Sequence, residues 1–204
     1  MHDMVIQPIN YELVFEPLFH NFKFNGEEII TLNLSKSTNS IILDAAELTV
    51  KKCDMEHEGK VIPLRSSLNE KKEELTIKLA KKIKGKAKLS IKFTGILNDR
   101  LLGFYKSQYK DKKGKVKYLA TTQFEAADAR RAFPCFDEPE AKATFDVSLL
   151  VDKHLDAISN MPIISKKNVG SKILYKFGRT PIMSTYLLYL GVGEFEYLHG
   201  KLRN

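Results

Sequence analysis

The chain has 204 residues, of which 43% are hydrophobic and 28% are charged. That share of apolar residues is enough to bury a core, which excludes a disordered protein. No apolar run approaches the roughly 20 residues of a membrane span, and the start lacks the regions of a signal peptide. No membrane partner is therefore predicted.

The net charge of +8 comes mostly from lysines that cluster in two segments. We interpret them as solvated surface and loop tips, because arginine is scarce in both and no aromatic stacking motif accompanies them. A basic nucleic-acid binder with salt-dependent affinity is the alternative, but no nucleic-acid partner is predicted. The clusters are Lys71, Lys72, Lys78, Lys81, Lys82, Lys84, Lys86, Lys88 and Lys92, and Lys106, Lys110, Lys112, Lys113, Lys115 and Lys117.

The two cysteines, Cys53 and Cys135, are far apart in the sequence and form no Cys-x-x-Cys motif. A cytosolic protein with reduced thiols is the simplest interpretation, so a cytoplasmic location is predicted. Cys135 lies among Phe133, Pro134 and Phe136. This setting favours a buried thiol over a nucleophile.

Hydrophobic residues recur mostly with a period of two, which indicates β-strands. The first predicted strand carries Tyr11, Leu13 and Phe15 on one face, and Phe24–Gly26 is interpreted as a bend. Residues 185–193 are apolar on both faces, so this segment should be a central strand. Further strands are predicted at 28–34, 41–44, 48–51, 61–64, 74–79, 87–93, 144–151 and 172–177.

Residues 103–122 predict a hairpin whose tip is Asp111–Gly114. Residues 126–131 are expected to form a turn or two of helix, which Pro134 ends. Many strands with frequent turn signals and almost no helical pattern predict an all-β fold. The predicted architecture is a β-sandwich of many short, mostly antiparallel strands.

The motifs of common hydrolytic sites are absent. His57-Glu58 begins a His-Glu-x-x-His pattern, but Val61 occupies the place of the second histidine, so no zinc site and no catalytic residue are predicted in this chain. Asp137 and Glu138 are adjacent and would point apart on an extended segment. We interpret them as partners of Arg130 or Arg131, or as part of a turn.

Gln123 and Glu125 are the candidate binding residues. If the strand before them stays extended, both lie on one face and Phe124 points into the core. A carboxylate can pair with a peptide's terminal ammonium group, and an amide can donate to and accept from the peptide backbone. The alternative is that Glu125 is a surface carboxylate with no binding role. A carboxyl group buried inside the sandwich would exclude the binding role.

The segment Thr122–Glu125, followed by the run Asp128–Pro139, resembles the aminopeptidase N-like zinc metallopeptidases of the puromycin-sensitive aminopeptidase and tricorn-interacting factor type. Weaker similarities extend over nearly the whole chain, including Ser159–Pro162 and Met183–Leu187. The resemblance implies a large saddle-like β domain over residues 1–195. It implies that residues 196–204 begin the connection to a catalytic domain that carries the zinc ion and performs the hydrolysis.

The resemblance also implies roles for the two candidates. Glu125 matches the residue that binds the α-ammonium group of the substrate, and Gln123 matches one that lines the pocket for the first side chain. The expected partners are peptide N-termini and a covalently following catalytic domain. On this view the chain alone is inactive. A natural stand-alone β domain that serves as a binding or scaffold module is the alternative.

Overall fold

The computed structural model describes residues 4–198 and 200. Alternating apolar residues form strands here, because successive side chains of a strand point to opposite faces and one face can enter a core. Two short 3₁₀ helices, Ala129–Arg131 and Thr185–Leu187, interrupt the strands. The strands are β1 (Ile6–Leu18), β2 (Lys23–Asp44), β3 (Thr49–His57), β4 (Lys60–Pro63), β5 (Arg65–Asn69), β6 (Glu74–Ile96), β7 (Gly103–Lys110), β8 (Val116–Gln123), β9 (Thr144–Asp152), β10 (Asp156–Ser159), β11 (Ile163–Val169), β12 (Lys172–Phe177) and β13 (Leu190–Gly193).

The strands form two sheets. The larger sheet has nine strands in the order β11-β12-β9-β1-β2-β6-β3-β4, with β5 paired to β6 beside this path, and the smaller sheet has the order β10-β13-β8-β7. β1 and β9 pair in parallel, whereas β1 and β2, β2 and β6, and β7 and β8 pair antiparallel. The all-β prediction is confirmed. Within residues 4–198 and 200, no helix is long and apolar enough to cross a membrane.

Aromatic rings from both sheets build the core between them. Phe15 on β1 and Phe24 on β2 meet Phe104 on β7, with ring centroids 5.8 and 5.2 Å apart. Phe133, from the segment that follows β8, lies 6.2 Å from Phe15 in an edge-to-face contact. Because these rings are fully buried, the end of β8 and the segment after it are fixed against the larger sheet.

Two strands are far longer than predicted. β2 has 22 residues and β6 has 23, and each combines two predicted strands into one. Their shared register shifts between Leu34, Thr38 and Ser40, and such irregularities let a paired strand bend without ending. The predicted bend at Phe24–Gly26 is wrong, since these residues lie inside β2 and pair with both β1 and β6.

The predictions for the second half of the chain hold in part. The hairpin of β7 and β8 is confirmed, and Asp111 Oδ1 at its tip accepts hydrogen bonds from the backbone N–H groups of Lys113 and Lys115 at 2.8 and 2.9 Å. The predicted helix is only the single turn Ala129–Arg131, because the residues before it form an irregular turn.

The predicted strand over residues 185–193 is shorter than expected. Its first part is the 3₁₀ helix, and only Leu190–Gly193 is a strand, which is buried and central between β10 and β8. The predicted connection at 196–204 falls partly outside the described residues, at positions 199 and 201–204.

Candidate functional site

Gln123 and Glu125 lie where β8 leaves the smaller sheet. Gln123 is the last residue of the strand, Glu125 follows in a turn, and both are exposed, whereas Thr122 and Phe124 are buried. Thr122 Oγ1 accepts a hydrogen bond from the backbone N–H of Leu190 at 3.0 Å. This alternation places both candidates at the surface, as predicted, and Glu125 is not sealed inside the sandwich.

The turn that carries Glu125 is closed and anchored. The backbone N–H of Asp128 donates to the carbonyl oxygen of Phe124 at 2.9 Å, and the Glu125–Ala126 peptide bond is cis. The Phe124 ring contacts the Phe133 ring at a centroid distance of 6.1 Å. The exposed carboxylate therefore stands directly beside a buried aromatic anchor.

Arg131 connects the turn to two loops of the larger sheet. Its Nε donates to Asp128 Oδ1 at 2.8 Å, its Nη2 to Glu73 Oε1 at 2.9 Å and its Nη1 to Glu47 Oε1 at 2.7 Å. Partial burial disfavours its charge, but the hydrogen bond to Asp128 and the charges of Glu73 and Glu47 raise the pKa of Arg131. One guanidinium thus contacts three carboxylates.

Arg130 holds a second group of carboxylates. Its Nε donates to Asp137 Oδ2 at 3.1 Å, and its Nη2 lies 3.2 Å from Asp44 Oδ1. Burial raises the pKa of the Asp137 carboxyl group, although hydrogen bonds from Thr185 and Arg130 favour its charged form. The predicted pairing of Asp137 with Arg130 is confirmed, while Glu138 is exposed.

Glu125 differs from these neighbouring acids. Asp128, Asp137 and Glu73 each pair with an arginine. Within residues 4–198 and 200, no hydrogen bond or ion pair engages the side chain of Glu125 or of Gln123. The end of β8 therefore presents an exposed acceptor whose charge no residue of the described structure balances.

The described residues do not assemble a metal centre. No three or more histidine, cysteine, aspartate or glutamate residues among positions 4–198 and 200 are grouped to hold a metal ion. The imidazole of His57 instead makes a 3.1 Å hydrogen-bond contact with the carbonyl oxygen of Lys84.

Cys135 is not an exposed nucleophile. Its side chain is fully buried, and this burial, followed by the charge of Asp137, raises the pKa of the thiol. A raised pKa keeps the thiol protonated and unreactive near neutral pH.

The family model of the peptidase M1 N-terminal domain matches residues 7–187, which is most of the chain. The chain belongs to this family. The M1 N-terminal domain is 40% identical over 203 residues to the puromycin-sensitive aminopeptidase of Caenorhabditis elegans, covering 97% of this chain and 21% of that relative. It is 42% identical over 198 residues to aminopeptidase 2 of Candida albicans, covering 95% of this chain and 21% of that relative.

A third similar protein is also named an aminopeptidase. The M1 N-terminal domain is 39% identical over 202 residues to the alanine/arginine aminopeptidase of Saccharomyces cerevisiae, covering 96% of this chain and 23% of the relative. The chain thus spans about a fifth of the length of these curated relatives. The resemblance to the aminopeptidase N-like metallopeptidases is confirmed.

Proposed function

We propose that this domain anchors the free N-terminus of a peptide within a zinc-dependent aminopeptidase. Glu125 accepts hydrogen bonds from the α-ammonium group, and Gln123 contacts the peptide beside the pocket for its first side chain. The observation that carries this proposal is that the exposed carboxylate of Glu125 is unpaired, whereas the nearby acids Asp128 and Asp137 pair with arginines. Membership of the M1 N-terminal domain family supports the assignment.

The chemistry of the ligand fits this acceptor. A peptide α-amine has a pKa of about 7.7–8.0, so most of it is protonated at neutral pH. A hydrogen bond to a charged group contributes about 1.5–3 kcal/mol, which is roughly a tenfold to hundredfold change in affinity. A peptide whose amine is blocked loses this interaction, so the carboxylate restricts binding to free N-termini.

Hydrolysis is assigned to a following domain. The relatives are named aminopeptidases and are about five times as long as this chain, which leaves room for a catalytic domain that carries the zinc ion. No chemical step is placed on a residue of this domain. We propose a cytoplasmic location, with peptide N-termini and the catalytic domain as partners and no nucleic acid or membrane among them.

The test is Glu125→Gln in a polypeptide that joins this domain to its catalytic domain. Glutamine keeps the size and removes the charge, so KM for alanine p-nitroanilide should rise about tenfold to hundredfold. Glu140→Gln removes the charge of another exposed glutamate and is the matched control. An unchanged KM in the Glu125 variant would reject the anchoring role.

A second measurement separates the ammonium contact from a general effect. Inhibition by a peptide ketone with a free amine is compared with inhibition by its analogue in which hydrogen replaces the amine. The inhibitor with the free amine should bind the unsubstituted enzyme more tightly than its analogue does. In Glu125→Gln the two inhibitors should bind with similar affinity. Retention of the full advantage would show that another group binds the amine.

A further inference from the structure

Arg131 contacts both chain segments that meet at the candidate site. Its guanidinium holds Asp128, whose backbone N–H closes the turn that carries Glu125. Its Cβ lies beneath Gly103, where an added Cβ would be 2.7 Å away, and Gly103 is the residue that pairs with Gln123. One side chain thus supports the turn of Glu125 and the strand pair of Gln123.

The other end of the Arg131 guanidinium is fixed to the larger sheet. Glu47 lies in the connection between β2 and β3, and Glu73 lies in the turn before β6. The side chains of Arg131 and Asp128 are each 18% exposed, whereas that of Glu47 is 44% exposed, so solvent screens the contact with Asp128 less than the contact with Glu47. The planar donor fork matches several carboxylates at once, which a lysine ammonium does not do with fixed geometry.

We propose that Arg131 is the positioning residue of the N-terminus anchor. It fixes the Glu125 turn relative to the larger sheet. The turn therefore does not have to be ordered when the carboxylate binds the substrate ammonium group. This inference rests on the proposed function of Glu125. Its physical basis is that an ordered acceptor binds more tightly than one that must be immobilised during binding.

Arg130 provides a matched control. It lies in the same 3₁₀ helix, its side chain has the same 18% exposure, and it also contacts three carboxylates. However, within the described part of the chain its side chain makes no hydrogen bond or ion pair with Asp128. Arg130→Gln should therefore lower stability as Arg131→Gln does, but it should not loosen the turn of Glu125.

The first experiment measures amide hydrogen exchange in the 204-residue chain by NMR. In Arg131→Gln the backbone N–H of Asp128 should exchange about tenfold faster than in the unsubstituted chain, after correction with amides of β1 that report global unfolding. Arg130→Gln should leave this corrected rate unchanged. Equal corrected rates in both variants would overturn the proposal. Asp128→Asn, which weakens the same contact and keeps the shape, serves if Arg131→Gln does not fold.

The second experiment is a double-mutant cycle on KM for alanine p-nitroanilide in the polypeptide that includes the catalytic domain. Arg131→Gln should raise KM about threefold to tenfold, and it should add little in the Glu125→Gln background, because Arg131 acts through Glu125. Full additivity would overturn the positioning role while leaving the anchor intact. No effect of Glu125→Gln alone would instead overturn the proposed function, and with it any role of Arg131 in binding the substrate.

Discussion

Glu28 is a carboxylic acid buried in the core. It lies on β2 opposite Leu13 of β1 and Ile91 of β6, and neither of its side-chain oxygens has a hydrogen-bond partner within the described residues. Burial raises the pKa of the Glu28 carboxyl group well above its ordinary value. The charged form is thus disfavoured in the folded state, so Glu28 lowers the stability of the fold at neutral pH.

Replacement of Glu28 by methionine should stabilise the domain at neutral pH. Methionine keeps a similar length without the polar atoms, so the expected gain in the free energy of unfolding is about 1–3 kcal/mol. The unfolded carboxyl has a pKa of about 4.3 and the folded pKa is higher, so the contribution of Glu28 is fully present below pH 4.3 and is lost as pH rises through the folded pKa. The advantage of methionine should therefore widen between pH 5 and pH 8.

Urea unfolding of both proteins at pH 5 and pH 8 measures this difference. Glu27→Met is the matched control, because Glu27 is the preceding residue, is exposed and pairs with Lys92 at the surface. That control should show a small difference in stability at both pH values. A Glu28→Met protein that is less stable than its parent, or a gap that is the same at both pH values, contradicts the account.

At the scale of the strands, Gly26 is required by close packing. A Cβ placed at Gly26 would lie 2.2 Å from Cε2 of Phe93, a buried ring on β6 directly opposite in the sheet. The ring is buried and packs edge to face on Phe15, so a displacement of the ring would disturb the core. The glycine permits the aromatic ring to cover the backbone of β2, which is a strand role for glycine and not a turn role.

Gly26→Ala should lower the free energy of unfolding by about 1–3 kcal/mol, because the added methyl group displaces the Phe93 ring in a packed core. Gly178→Ala is the control, since its added Cβ would meet its nearest atoms at 3.7 Å, an ordinary contact distance. Thermal unfolding monitored by circular dichroism measures both. Phe93→Leu should recover part of the loss in the double variant, and strict additivity would argue against this contact.

The same glycine explains why the sequence does not predict that β2 continues through Phe24–Gly26. Phe24, Ile30 and Leu32 share the core face of β2, but Gly26 and Glu28 occupy the same face and break the apolar period. A glycine in that position looks like a turn until the ring opposite is known. The sequence does not predict β11, because each of its residues is exposed and no alternation of apolar and polar residues marks a buried face.

Only part of the candidate site can be predicted from the sequence. The surface position of Gln123 and Glu125 follows from local alternation, which the sequence contains. The contacts of Arg131 with Glu47 and Glu73 join residues more than fifty positions apart, so only the tertiary fold reveals them. Local periodicity therefore predicts which residues are displayed, while the residues that hold them in place remain hidden.

For the whole molecule, Asp137 joins the two halves of the sandwich. Its backbone N–H donates to Asp44 Oδ2 at 2.9 Å at the end of β2, and its Oδ1 accepts a hydrogen bond from Thr185 Oγ1 at 2.8 Å just before the central strand of the smaller sheet. Its Oδ2 accepts from Arg130. The carboxylate is buried and accepts from Thr185 and Arg130, so its loss leaves both of these donors without that acceptor.

Asp137→Asn should therefore destabilise the domain by about 2–4 kcal/mol, because an amide offers one acceptor oxygen where the carboxylate offers two, so the donors of Thr185 and Arg130 cannot both keep their acceptor. Glu138→Gln, at the adjacent exposed position, should change stability little. The loss should appear as a transition at lower urea concentration, and coincident near-ultraviolet and far-ultraviolet circular dichroism curves would show that the two-state comparison is valid. A free energy of unfolding that falls no further in Asp137→Asn than in Glu138→Gln would contradict this role of Asp137.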